Sequence, residues 1–250
     1  MDGQIQTVSG AKLQILNRDF IKYIAMFTML LNHIAHVFLT RGTIRYEVFE
    51  DIGFFTAPVM CYFLVEGYFH TRSKLKYGFR LFLFAVISQI PFWLAFEQNG
   101  LNMLFTLLCC FLILVTMEKV EGTLPKIALV LPLMLVTVYG DWGIVAPLFT
   151  IYFFNGRGDR KKTALGFLVC YFIFAILNVQ NYMNGEQGNW TAYAVFHGLL
   201  SGLGILAAGV TVLYLYNGKR MERGKNFSKW FFYLFYPAHL FILYLIKIGI

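Results

Sequence analysis

The stretch Phe20-Ile21-Lys22-Tyr23-Ile24-Ala25-Met26-Phe27-Thr28-Met29-Leu30-Leu31-Asn32-His33-Ile34-Ala35-His36-Val37-Phe38-Leu39 decides the fold class. Its 20 residues contain one lysine and no acid. As a helix rising 1.5 Å per residue it is about 30 Å long, the thickness of a bilayer's hydrocarbon core. The remainder of the 250-residue chain repeats the pattern: 58 % of residues are hydrophobic, 14 % are charged, and 27 are phenylalanine. Mean hydropathy is +0.63. Soluble domains carry roughly 45–50 % apolar and 25 % charged residues, so this chain is solvated by lipid.

Outward from that stretch, nine segments qualify as membrane helices: Phe20–Leu39, Ile52–Phe69, Tyr77–Phe96, Leu101–Met117, Leu124–Tyr139, Trp142–Phe154, Thr163–Asn178, Ala192–Tyr216 and Phe231–Ile248. The sixth is short and contains Pro147. Loops are short, with no inserted soluble domain, so the expected fold is all-α: a polytopic membrane bundle of about nine helices. Residues 1–19 form a cytoplasmic N-terminal segment ahead of a single domain over 20–250. That segment is largely polar, and no small-residue cleavage site follows the first apolar run, so no cleavable leader is expected.

Charge orients the bundle. With nine spans and the N-terminus inside, every basic residue except Arg41, Arg45 and Lys247 falls on the cytoplasmic side. The net charge of +8 therefore reads as a topology signal rather than as nucleic-acid binding. Cys61, Cys109, Cys110 and Cys170 lie inside apolar runs with no metal-ligand spacing, so no metal site is expected. Asn155-Gly156-Arg157-Gly158 lacks the spacing of a phosphate-binding loop.

Polar groups at membrane depth cost free energy and require a partner, a cavity or a role. His33 lies deep in the first span, with His36 one turn further out and Asn32 beside it. His239 is mid-depth in the ninth span, two residues after Pro237, and His197 sits near the outer end of the eighth. Gln89, Asn102 and Thr106 occupy the outer ends of the third and fourth spans, and Asp141 caps the turn between the fifth and sixth. Glu66 is the lone acid within a span as delimited above. It stands one turn before His70 in Glu66-Gly67-Tyr68-Phe69-His70-Thr71-Arg72 and is a candidate for an ion pair with His70 or Arg72. Arg72, Lys74, Lys76 and Arg80 cluster on the inner side, as a topology signal or as an anion site. The buried histidines suit either a general base or structural hydrogen bonding.

Several blocks resemble the TraX family, integral membrane proteins associated with acetylation of the N-terminus of conjugative pilin. The matching stretches are Ile24–Ile34, Phe54–Pro58, Leu64–Arg72, Tyr77–Phe92, Leu101–Thr106, Tyr139–Gly143 and Phe235–Leu240, with the Glu66–Arg72 and Tyr77–Phe92 blocks the most specific. Asn32 departs from the pattern, since the family usually places Asp before the histidine.

The resemblance implies an acetyltransferase of the bacterial inner membrane that takes acetyl-CoA from the cytoplasm. Its acceptor would be an amine or hydroxyl, on a protein N-terminus or a glycan. His33 would serve as base or acetyl carrier, assisted by His239 or His197. Arg72, Lys74 and Arg80 would hold the CoA phosphates, and Asn32, Gln89 and Asn102 could donate to an oxyanion. Two other readings fit the same residues. A proton-coupled transporter would use the histidines and Glu66, and a non-catalytic partner of a pilus or secretion assembly would need no base at all.

Overall fold

The computed structural model describes residues 14–184 and 191–250. Residues 1–13 of the expected cytoplasmic segment, and residues 185–190 between the seventh and eighth spans, lie outside the described residues.

Among the described residues the secondary structure is helical, with two isolated bridges and no strand. The helices are α1 (Arg18–Phe38), α2 (Ile44–Gly53), α3 (Thr56–His70), α4 (Lys74–Phe96), α5 (Met103–Lys119), α6 (Thr123–Thr137), α7 (Val145–Asn155), α8 (Arg160–Asn184), α9 (Thr191–Ser201), α10 (Leu203–Val210) and α11 (Lys225–Lys247). A π-turn over Thr211–Leu215 follows α10. Among the described residues six helical stretches are long and apolar enough to cross a membrane: Arg18–Phe38, Ile44–His70, Lys74–Phe96, Arg160–Met183, Ala192–Leu215 and Lys225–Lys247.

Local sequence fixes where helices begin. Asn17 accepts from the Phe20 amide at 2.9 Å, Thr43 from Tyr46 at 3.3 Å and Asn102 from Leu104 at 2.9 Å, so α1, α2 and α5 each start on a side-chain cap. Contacts between loops gather the charges at one end of the bundle. There the Arg18 amide donates to the Lys219 carbonyl, Lys74 pairs with Glu118, Arg157 lies over the Phe69 ring and Arg160 donates to the Leu213 carbonyl. At the opposite end Lys247 pairs with Glu97 at 2.9 Å, and the Leu101 amide donates to the Tyr139 carbonyl.

The structure corrects the boundaries of the second span. Helix begins at Ile44 rather than Ile52 and continues with a short break to His70, which adds Glu47, Glu50 and Asp51 to that stretch. Glu66 is therefore not its lone acid. Two of the added acids meet aromatic hydroxyls, Tyr182 donating to Glu47 and Tyr46 to Glu50, whereas Oδ1 of Asp51 is buried without a hydrogen bond.

The sixth expected span coincides with α7, which at 11 residues is not among the six stretches long enough to cross a membrane. Val145, Ala146, Phe149, Thr150 and Phe153 are buried among α3, α5 and α8, so protein rather than lipid surrounds much of it. Pro147 falls in its first turn, where no backbone donor is lost. By contrast α6 packs chiefly on α5 and buries only Thr137.

Candidate active site

His33 on α1 and His239 on α11 are each about 5 % exposed and face one another. Nδ1 of His33 lies 2.7 Å from Nε2 of His239, and Nδ1 of His239 lies 2.8 Å from the Phe235 carbonyl. A carbonyl can only accept, so His239 Nδ1 carries a proton and donates it. In the neutral ring the His239 Nε2 then accepts, and the donor is His33 Nδ1–H. This chain leaves the proton-accepting lone pair of His33 on Nε2, which makes no hydrogen bond among the described residues. The edge of Phe96 packs on His33 at 5.0 Å between centroids, and Tyr236 lies 6.2 Å away.

A cavity of about 590 Å³ opens between α1, α3, α4, α5 and α11. Its charged end is lined by Arg18, Lys22, Arg72, Arg80, Arg220 and Lys229, with Asp19 and Glu66 among them. Its apolar end is lined by Met26, Met29, Thr56, Met103 and Tyr236. Met29 is one turn of α1 before His33. Tyr236 touches both regions: it lines the cavity, and its ring lies 5.6 Å from that of His239. Its hydroxyl oxygen accepts from the Met103 amide at 3.2 Å, which leaves the hydroxyl proton available for another group. Nothing in the reading of the sequence singled out Tyr236. The signal was its place three residues before His239, on the same face of one helix.

The structure brings together some of the expected residues and separates others. Glu66, His70, Arg72 and Arg80 share the cavity with residues near His33 and His239. Lys74 lies outside that lining and pairs with Glu118, which also accepts from Tyr68. The expected ion pair of Glu66 is absent: Oε1 accepts from Tyr216 at 2.6 Å, while His70 binds the Glu66 backbone carbonyl instead of its carboxylate.

Asn32 turns away from His33 and donates to the Glu50 carbonyl at 3.2 Å. It is a packing residue between α1 and α2, since a Cβ on Gly53 would lie 2.2 Å from that of Asn32. Gln89 donates to the Gly100 carbonyl, and Asn102 donates to the Ala85 carbonyl and to Gln89. These amides build the joint between α4 and α5 instead of facing the histidine pair. Thr106 donates to the Asp141 carbonyl and fixes the turn before α7. Burial raises the Asp141 carboxyl to a pKa of about 6. His197 packs at a tilt against Tyr193 and Tyr182, apart from His33. His36 contacts Tyr46 at 3.0 Å and lies 3.4 Å from Glu50. Among the described residues no group of three or more His, Cys, Asp or Glu side chains is placed to hold a metal ion.

The family model described as TraX protein matches residues 17–247. The chain belongs to the TraX family. This TraX chain is also 34 % identical, over 91 % of its own length and 96 % of the relative's, to a protein of Dichelobacter nodosus named "Probable fimbrial assembly protein FimC, serogroup H1". No solved structure matches it. In this member of the TraX family the histidine chain can supply a proton acceptor in a dry site, and the neighbouring cavity can supply positive charge at its far end.

Proposed function

We propose that this TraX protein is an acetyltransferase of the bacterial inner membrane that carries acetyl from cytoplasmic acetyl-CoA to an amine or hydroxyl. The observation that carries this reading is the cavity's polarity: a strongly basic end, an apolar end, and an oriented histidine pair just past it. Six cations against two acids leave four net positive charges along the lining. CoA carries roughly four negative charges near neutral pH, two on its diphosphate and nearly two on its phosphomonoester. The basic end faces the cytoplasm under the positive-inside rule, with nine crossings in which α5, α6 and α7 form the shorter ones.

In this reading Arg72 and Arg80 help to hold the phosphates, and the apolar lining keeps water from the thioester. Nitrogen or oxygen of the acceptor attacks the acetyl carbonyl, and His33 Nε2 takes the acceptor's proton. The carbon–sulfur bond then breaks, and His33 returns the proton to the departing sulfur. His239 holds the His33 ring in the tautomer this needs, the part an aspartate beside the histidine plays in the family pattern. The Tyr236 hydroxyl, whose ring packs edge-on to both histidines, donates to the developing oxyanion.

A second reading, a non-catalytic part of pilus assembly, draws support from the printed name of the relative. Incubating membranes that contain the protein with radiolabelled acetyl-CoA separates the two. The acetyltransferase reading expects label in protein or glycan fractions and a fall of roughly 10²–10⁴-fold in His33→Ala, the usual contribution of a general base. Label no higher than in membranes lacking the protein would favour the assembly role, and equal label above that level from both proteins would remove His33 as the base.

A further inference from the structure

Six buried side-chain atoms among the described residues have no hydrogen-bond partner, and four of them belong to residues lining the cavity: Arg18 Nε, Asp19 Oδ1, Glu66 Oε2 and Arg80 Nε. Two are donors and two are acceptors. Buried polar atoms without a hydrogen bond are unfavourable, so their occurrence on residues of one lining points to a ligand that pairs with both kinds.

The two carboxylates are held in place. Asp19 is 1 % exposed: its Oδ2 accepts from the Met221 amide at 2.8 Å, and its Oδ1 lies 3.7 Å from an Nη of Arg18, an ion pair too long to be a hydrogen bond. Glu66 is anchored through Oε1 by Tyr216, the residue directly after the π-turn, and Oε2 is left over. Inorganic diphosphate would satisfy the arginines but be repelled by these carboxylates, and phosphatidylglycerol would bring hydroxyl donors but only one phosphate charge and no base amine. A nucleotide brings phosphates for Arg18 and Arg80 and N–H and O–H donors for Asp19 and Glu66, on the exocyclic amine of its base and the hydroxyl of its ribose.

We infer that Asp19 and Glu66 are specificity-determining acceptors that make this cavity select a nucleotide over other polyanions. The inference rests on the acetyl-CoA reading and deepens it, because it assigns the nucleotide end of the donor to this end of the cavity.

The test measures binding to the purified full chain in detergent, with CoA, adenosine 3′,5′-diphosphate, inorganic diphosphate and phosphatidylglycerol as competing probes. CoA and adenosine 3′,5′-diphosphate are expected to displace one another, with inorganic diphosphate at least about tenfold weaker and phosphatidylglycerol displacing neither. In Glu66→Gln, which keeps an acceptor for Tyr216, nucleotide affinity should fall about tenfold while that for inorganic diphosphate holds or rises. Asp19→Asn, which keeps the bond to Met221, should behave alike and stands in if Glu66→Gln does not fold.

Equal wild-type affinity for the nucleotide and inorganic diphosphate would overturn the inference even if CoA binds, and so would displacement of the nucleotide by phosphatidylglycerol. Selective binding of adenosine 3′,5′-diphosphate without binding of CoA would uphold the nucleotide site and remove the acetyl-CoA reading instead.

Discussion

The contact between His33 Nδ1 and His239 Nε2 turns two isolated polar residues into one directional unit. A positioning role for His239 makes a defined prediction. His239→Ala should lower acetyl transfer by about 10²-fold, the scale of losing a reacting group's orientation, while CoA binding is kept. His239→Gln should recover part of the loss, because its amide oxygen can still accept from His33 Nδ1. Recovery by Gln is a response that general loss of packing would not give. Asn32 yields the opposite expectation. Asn32→Asp exchanges a donor for a carboxylate facing the Glu50 carbonyl, so it should destabilise the fold by about 1–3 kcal/mol and leave the transfer rate of folded protein no higher. Thermal unfolding and activity per folded molecule check both parts. At this scale the sequence made His33 and His239 visible, because a histidine in a run of Leu, Phe and Ile is conspicuous. It hid Tyr236 and Asp19. Tyrosine is ordinary in an apolar helix, and Asp19 stood at the end of a segment read as polar and cytoplasmic.

Hydrophobic runs mark helices well, and each of the expected spans coincides with helix over most of its length. They mark helix ends poorly when polar residues have partners distant in the chain. Glu47 and Glu50 made the start of the second helix look like a loop, because hydropathy does not register that Tyr182, 135 residues away, meets Glu47. The amides Gln89 and Asn102 posed the reverse problem. Their side chains looked available for chemistry until the backbone carbonyls they serve came into view. At the turn between α6 and α7, Asp141 gives a pH-dependent prediction. Its carboxyl titrates near 6 when folded, above its ordinary value of 3.8, so the folded state binds the proton more tightly than the unfolded state does. The stability linked to that proton is fully present below pH 3.8 and is lost as pH rises through about 6. Asp141→Asn should accordingly stabilise the protein near pH 7.5 by about 1–2 kcal/mol and flatten its unfolding profile between pH 4 and 7. Identical profiles for the two proteins would remove burial as the cause of the shift.

Across the whole molecule, charge pattern and cavity share one axis. The lysines and arginines that orient the bundle also supply the cavity's charged lining, through Arg18, Lys22, Arg72, Arg80, Arg220 and Lys229. The sequence showed the charges loop by loop, but their convergence depends on how α1, α3, α4 and α11 pack. Reporter fusions after Ile250 should place the C-terminus outside if the proposed nine crossings start from an inner N-terminus, and a C-terminus inside would remove one of them. The central claim is that acetyl-CoA enters from the basic, cytoplasmic end and that His33 takes the acceptor's proton beyond the apolar end. Acetyl-CoA does not cross lipid, so sealed vesicles of known orientation test this most directly. Inside-out vesicles supplied externally with radiolabelled acetyl-CoA should incorporate label when they carry the wild-type protein and lose nearly all of it with His33→Ala, while right-side-out vesicles remain unlabelled. Labelling of right-side-out vesicles, or equal labelling of inside-out vesicles by His33→Ala, would contradict the account.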